Sequence, residues 1–310
     1  MPIPLILWGA AAALAATGVV KGVQASGNFD KAKEIGENAE KKYNKASEEL
    51  DKSREKTQAA LEALGELKLS GFTTQIKHLV DTIKKQKNAK STLKDFNEEI
   101  TPDELKEYEK LVLNSLEIEK GLASGIGGGA LAAIGAYGSV GALASASTGA
   151  AISGLSGVAA TNATLAWLGG GALSAGGFGM AGGMIALGGI VLGPALAIGG
   201  FMMASKAEEA LTKAYEYEAE AEKAIANMAV MMTSLKAIRT NAAELSNTIN
   251  ELISRFEAAK VYDDSDPAAF EKMLIIGTGL KKVLDVAIIT NDGSATQDIK
   301  SKISGILTLE

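Results

Sequence analysis

The stretch GLASGIGGGALAAIGAYGSVGALASASTGA, residues 121–150, opens a run that reaches residue 205 without one Asp, Glu, Lys, Arg or His. Gly fills 24 of its 85 positions and Ala 21, in a chain that is 22% charged overall. A segment this long with no charge is driven out of water. A bilayer, a neighbouring copy or another part of the same chain must cover it. The sequence on either side reads as water-compatible helix. The expected fold is all-α: a long antiparallel helical bundle or coiled coil flanking a Gly/Ala-rich hydrophobic helical hairpin.

Within the run, small residues recur every four positions. Gly121, Gly125, Gly129 and Ala133 form one series. Gly179 and Gly183 form a second, and Gly189, Gly193 and Ala197 a third. On a helix such series make stripes without side chains, along which a second helix packs closely. The run is long enough for up to about four passes of ~20 residues each. Its most apolar part is 183–203, where Pro194 is tolerable inside a membrane helix. Residues 122–143 make a weaker span, because Ala and Gly add little to insertion. Lys120 and Lys206 lie on one side of a membrane if the number of passes is even.

A second uncharged stretch, PIPLILWGAAAALAATGVV, covers residues 2–20. At roughly 1.5 Å per residue it crosses most of a ~30 Å hydrocarbon layer. It reads as a membrane anchor or inserting helix, as a helix packed on the central run, or as a removed signal. No Lys or Arg precedes the apolar residues, which weakens the signal reading. Trp8 is the candidate membrane-interface anchor, or a packed core aromatic.

From residue 30 to 69 charge returns with helical spacing. Ala39, Tyr43, Ala46, Leu50, Ser53, Thr57, Ala60, Leu64 and Leu67 alternate steps of four and three, which is a heptad seam. Its small and polar members predict an intramolecular bundle rather than a free-standing dimer. Ser70-Gly71 interrupts the pattern, and Phe72, Ile76, Leu79, Val80 and Ile83 then give a second helix one apolar face. Lys84, Lys85, Lys87, Lys90 and Lys94 follow as a basic patch, suited to anionic headgroups or simply solvated. Thr101-Pro102-Asp103-Glu104 predicts a helix start with a capping box. That helix is expected to run past Lys120 straight into the uncharged run.

Residues 204–260 predict one helix of roughly 80 Å at 1.5 Å per residue. Ala207, Leu211, Ala214, Ala221, Ile225, Met228, Met232 and Leu235 give its seam. Ile238, Ala242, Leu245, Ile249, Leu252 and Phe256 continue it after a one-step shift. The two arms are expected to pack antiparallel. Asp266 with Pro267 predicts a further helix start, continuing through Phe270 to Ile288. Asn291-Asp292-Gly293 reads as a turn, and Ile299, Ile303 and Ile306 as a short last helix. In chain order this gives an apolar N-terminal segment (1–27), a charged arm (28–120), the membrane-type hairpin (121–205), a long helix (206–261) and a helical tail (262–310).

The chain has no cysteine and one histidine, His78. Thiolate chemistry and histidine-pair metal sites are therefore excluded. No nucleophile elbow or phosphate-binding loop occurs, so no enzyme, cofactor, metal or small-molecule substrate is expected. A net charge of −6 leaves no basic footprint for nucleic acid. Long charged helices, an apolar hairpin between them and an apolar N-terminus together resemble the α-helical pore-forming toxins of the haemolysin E type, at the level of architecture only. That resemblance implies a soluble form that inserts its hairpin and assembles into a ring. The expected partners are a lipid bilayer and further copies of the chain, with a membrane-associated location and a soluble form before insertion. Two alternatives stand beside it. One is a constitutive membrane-anchored helical scaffold. The other is a soluble structural protein that hides its Ala/Gly helices in a polymer interface.

Overall fold

The computed structural model describes residues 22–88, 100–123, 128–137, 207–262, 266–290 and 295–307. These residues form an all-α chain: α1 (Gly22–Gly71), a π-helical turn (Phe72–Ile76), α2 (Lys77–Asn88), α3 (Pro102–Ala123), α4 (Gly128–Tyr137), α5 (Ala207–Ala259), α6 (Pro267–Leu284) and α7 (Ile299–Leu307). The only β pairing among them is an isolated antiparallel bridge between Ile289 and Ala295. By contact the chain divides into two compact units. The first takes the described residues up to 53 together with 207–233, and the second takes the remainder.

In the first unit α1 lies against α5 along small residues. Ala32 is buried with Ala210 and Ala214, and Ala39 with Tyr217 and Ala221. Lys42 stands 3.9 Å from Glu222. Both series ascend together, so the two helices run parallel. In the second unit the order is the same: Arg239 Nη1 donates to Thr57 Oγ1 at 2.6 Å and Gln75 Nε2 to Glu257 Oε1 at 2.9 Å. The expected antiparallel packing of the two arms is therefore corrected. Heptad spacing shows which face a helix buries but not the direction of its partner. An antiparallel pair needs only a turn between its members, whereas a parallel pair needs a connection that brings the chain back.

The α5 seam also differs from its expected register. Ala210, Ala214, Tyr217, Ala221, Ala224 and Met228 are buried, followed by Leu235, Ile238, Ala242, Leu245, Ile249, Leu252, Phe256 and Ala259. With half-buried Met231 between Met228 and Leu235, these positions alternate steps of four and three without a shift. Leu211 and Ile225, expected in the seam, are only half-buried. Tyr217 and Ala224 take the central places, because an alanine or a flat ring fits where helices approach closely. Burial holds the Tyr217 hydroxyl well above its ordinary pKa, at about 12.

In the second unit the expected break at Ser70-Gly71 is a change of helix type instead. Gly71 keeps helical dihedrals (φ −57°, ψ −42°) and leads into the π turn. A Cβ there would lie 2.9 Å from a terminal carbon of Leu284, so glycine admits the Leu284 side chain. The face beyond the turn is buried as expected: Phe72, Ile76, Leu79, Val80 and Ile83 are all 5% exposed or less. His78 Nε2 lies 2.8 Å from the Val261 carbonyl, which ties α2 to the end of α5.

α3 starts where the sequence places it. Thr101 N–H donates to Glu104 Oε2 at 2.7 Å, and Glu104 N–H to Thr101 Oγ1 at 3.2 Å, closing a capping box. The Thr101 N–H, together with the Thr101 hydroxyl that donates to Glu104 Oε2 at 2.8 Å, holds the Glu104 carboxyl below its ordinary pKa. α3 returns along α1 and α2, with Lys84 paired to Glu109 at 3.2 Å and Leu69 buried beside Ile118. Asp266 caps α6 by accepting from Ala269 N–H at 3.1 Å, with Pro267 at the first helical position. α6 ends at Leu284, not at Ile288 as expected, and the residues beyond it turn toward α4. The Asn291-Asp292-Gly293 turn lies outside the described residues, as do Lys90 and Lys94.

Candidate functional site

α4, GGALAAIGAY, is the first helix of the charge-free run. Residues 132–137 are buried in succession. A helix that is apolar all round has no face for water and must be surrounded. Ile134 packs with Leu69 and Ile118, beside half-buried Leu122 and Leu131. Ala132, Ala136 and Tyr137 belong to the main core with Leu61, Leu64 and Leu245.

Two glycines let α4 touch the α1 backbone. A Cβ added to Gly65 would fall 2.6 Å from the Leu131 carbonyl carbon and closer still to its oxygen. One added to Gly135 would fall 2.9 Å from the Leu61 carbonyl carbon and 3.1 Å from the Gly65 nitrogen. Real Cβ atoms do not approach backbone this closely. Side chains are therefore excluded on both sides of the crossing.

Next to that crossing, one turn along α1, Lys68 is completely buried. Its ammonium nitrogen donates to the carbonyls of Gly135 at 3.0 Å, Ile134 at 3.4 Å and Val286 at 2.8 Å. The first two carbonyls belong to the last described turn of α4. The third lies just beyond α6. One cation thus joins α4 to the segment that follows α6. The remaining α4 carbonyl nearby, that of Ala136, accepts from Ile288 N–H at 2.9 Å and Ile289 N–H at 3.3 Å. The segment that supplies these donors is itself fixed. Thr296 N–H donates to the Ile288 carbonyl at 2.8 Å, and Asn241 Nδ2 donates to the Thr296 carbonyl at 2.8 Å.

Burial pulls the Lys68 pKa down to about 7, and the charge of Asp285 opposes that shift. Asp285 also pairs with Lys281 at 3.0 Å, and Lys281 pairs with Glu107 at 2.9 Å while lying over the Tyr108 ring at 5.0 Å. Burial works against the Lys281 cation, but the Glu107 and Asp285 carboxylates outweigh it and raise its pKa. Asp285 Oδ1 is buried and has no hydrogen-bond partner among the described residues.

Of the stripe expected from the sequence, Gly121 lies near the end of α3 and is half-buried. Gly129 is in α4, and Ala133 is buried at 2% exposure. Gly125, Gly179, Gly183, Gly189, Gly193, Ala197 and Trp8 lie outside the described residues. The residues at closest approach are Gly65 and Gly135, which belong to none of the expected series. A glycine inside the helical pattern of α1 was the available signal for Gly65. Lys68 carried no such signal, since a lysine in a charged arm reads as solvated. α3 runs past Lys120 into the charge-free run as far as Ala123, α4 begins at Gly128, and 124–127 lie outside the described residues. Among the described residues no helix is long and apolar enough to cross a membrane. α4, at roughly 15 Å for ten residues, is half the thickness of a bilayer core. No group of His, Asp or Glu among the described residues is placed to hold a metal ion.

No family model, curated protein or solved structure matches this chain.

Proposed function

We propose that the chain is a membrane-inserting helical protein that oligomerises and permeabilises bilayers through residues 121–205. The observation that carries this reading is the treatment of α4. A charge-free helix near the start of an 85-residue uncharged run is packed inside charged helices of its own chain. A helix of a permanent membrane anchor has lipid as its cover and no need of such a seat. Storage against water followed by exposure to lipid accounts for both the composition and the seat. Self-association then follows from the Gly series, which let apolar helices meet at short range once they leave their own bundle.

The test begins with expression and purification in the absence of detergent. A soluble chain that releases dye from phospholipid vesicles supports insertion. Retention in the membrane fraction without dye release overturns it in favour of a constitutive scaffold. Large soluble particles indifferent to lipid overturn it in favour of a structural polymer.

A further inference from the structure

Among the described residues Lys68 is the one fully buried lysine, and its partners are unusual. All three are backbone carbonyls, two from the last turn of α4 and one from the residue after Asp285. Lifting α4 from α1 breaks two of these bonds and returns the ammonium to water. The ionisable groups facing it are few. Asp285, with its partner Lys281 and then Glu107, comes from the α6 end and α3. α4 contributes Tyr137 alone, and the other α3 residues at the seat are Ile118 and Leu122.

We propose that Lys68 is a proton-sensitive clasp on the charge-free segment: its amino group, held by carbonyls of α4 and of the segment after α6, keeps α4 on α1, and its protonation favours the departure of α4. The proposal rests on the reading of 121–205 as membrane-inserting, and it names the regulation of that event. The sign follows from linkage. With α4 seated, Lys68 loses its proton near pH 7, because burial disfavours the cation. With α4 lifted, Lys68 is hydrated and titrates at roughly 10.4. Between these values the open form binds one more proton, so falling pH favours opening. The opening equilibrium rises about tenfold per pH unit on going down toward neutrality and levels off below pH 7.

The chain has no cysteine, so a single reporter thiol is unambiguous. Ala132, 8% exposed on α4, is the position for it. The A132C chain is labelled with an aromatic disulfide reagent from pH 6 to pH 10, and each rate is normalised to the denatured chain at the same pH. The expected result is a normalised rate that climbs about tenfold per unit as pH falls from 10 toward 7 and is flat below. Lys68→Met in the same background is expected to remove the slope. An unchanged slope in Lys68→Met, or a flat profile with Lys68 present, overturns the clasp. Should Lys68→Met fail to fold, Asp285→Asn serves instead. Loss of that carboxylate is expected to move the plateau to lower pH, and an unmoved plateau overturns the proposal. Dye release from anionic phospholipid vesicles is measured on the same proteins. A sloped labelling profile without dye release removes insertion and leaves the clasp. Dye release with a flat labelling profile removes the clasp and leaves insertion.

Discussion

Replacing Gly65 by alanine sets two well-known effects against each other. In the middle of α1 the change improves helix propensity by about 1 kcal/mol. At the α4 crossing it places a Cβ 2.6 Å from the Leu131 carbonyl carbon, where an ordinary contact is about 3.5–4.0 Å. The neighbouring atom is backbone, so no side chain can swing aside, and α4 must move by about 1 Å. Overpacking of this kind costs about 1–3 kcal/mol. The shift also lengthens the Lys68 bonds to Gly135 and Ile134, already 3.0 and 3.4 Å, and a hydrogen bond to a charged group contributes about 1.5–3 kcal/mol. The expected net effect is destabilisation by about 2–4 kcal/mol. Gly27, also in α1, is the control, since nothing lies within 4 Å of its added Cβ. Gly27→Ala is expected to stabilise by up to about 1 kcal/mol. Urea unfolding followed by far-ultraviolet circular dichroism reads both variants. If Gly65→Ala proves as stable as the parent chain, or more stable, the backbone-to-backbone seat of α4 is refuted.

Other outcomes are expected elsewhere. Thr101→Ala removes the capping box at the start of α3 and should lower stability by about 1 kcal/mol in urea titration. Asp266→Ala is expected to cost a similar amount at α6. Leu245 and Leu252, 0% and 1% exposed in the α5 seam, should each cost about 2–5 kcal/mol when changed to alanine, with the denaturant slope unchanged. Parallel pairing of α1 with α5 is tested by Lys42→Cys with Glu222→Cys, whose parent side chains stand 3.9 Å apart. A short bifunctional reagent should join them within one chain, and failure to do so, with both thiols reactive, argues against the parallel order. Tyr217, whose hydroxyl burial pushes up to about 12, stays neutral when folded above the ordinary tyrosine pKa of about 10. The stability it lends is complete below pH 10 and is lost as pH rises from 10 to 12. Alkaline melting curves should show that loss, and Tyr217→Phe should lack it.

Much of the fold was legible in the residues themselves. Heptad spacing in the two arms, the Thr101–Glu104 box and the Asp266-Pro267 start depend on neighbours within a turn or two. Such local rules need no knowledge of the rest of the chain. The seat of α4 was not legible, because Gly65 and Gly135 are far apart in sequence and each is unremarkable alone. Lys68 was hidden for a different reason. Its surroundings in sequence are those of a solvated arm, and only the arrival of α4 and the end of α6 removes it from water. The same holds for Gly71, where the expected break is a place made for Leu284.

Spacing and caps along the chain by themselves determined that the described residues are helical, and composition marked residues 121–205 as free of charge. Those features depend on residue type and local spacing, which are fixed before any two helices meet. The tertiary structure alone decided what covers α4, that the arms run parallel, and that one lysine holds the end of α4. Those outcomes depend on which surfaces meet across the chain, and periodicity along one helix is silent about the position and direction of its partner.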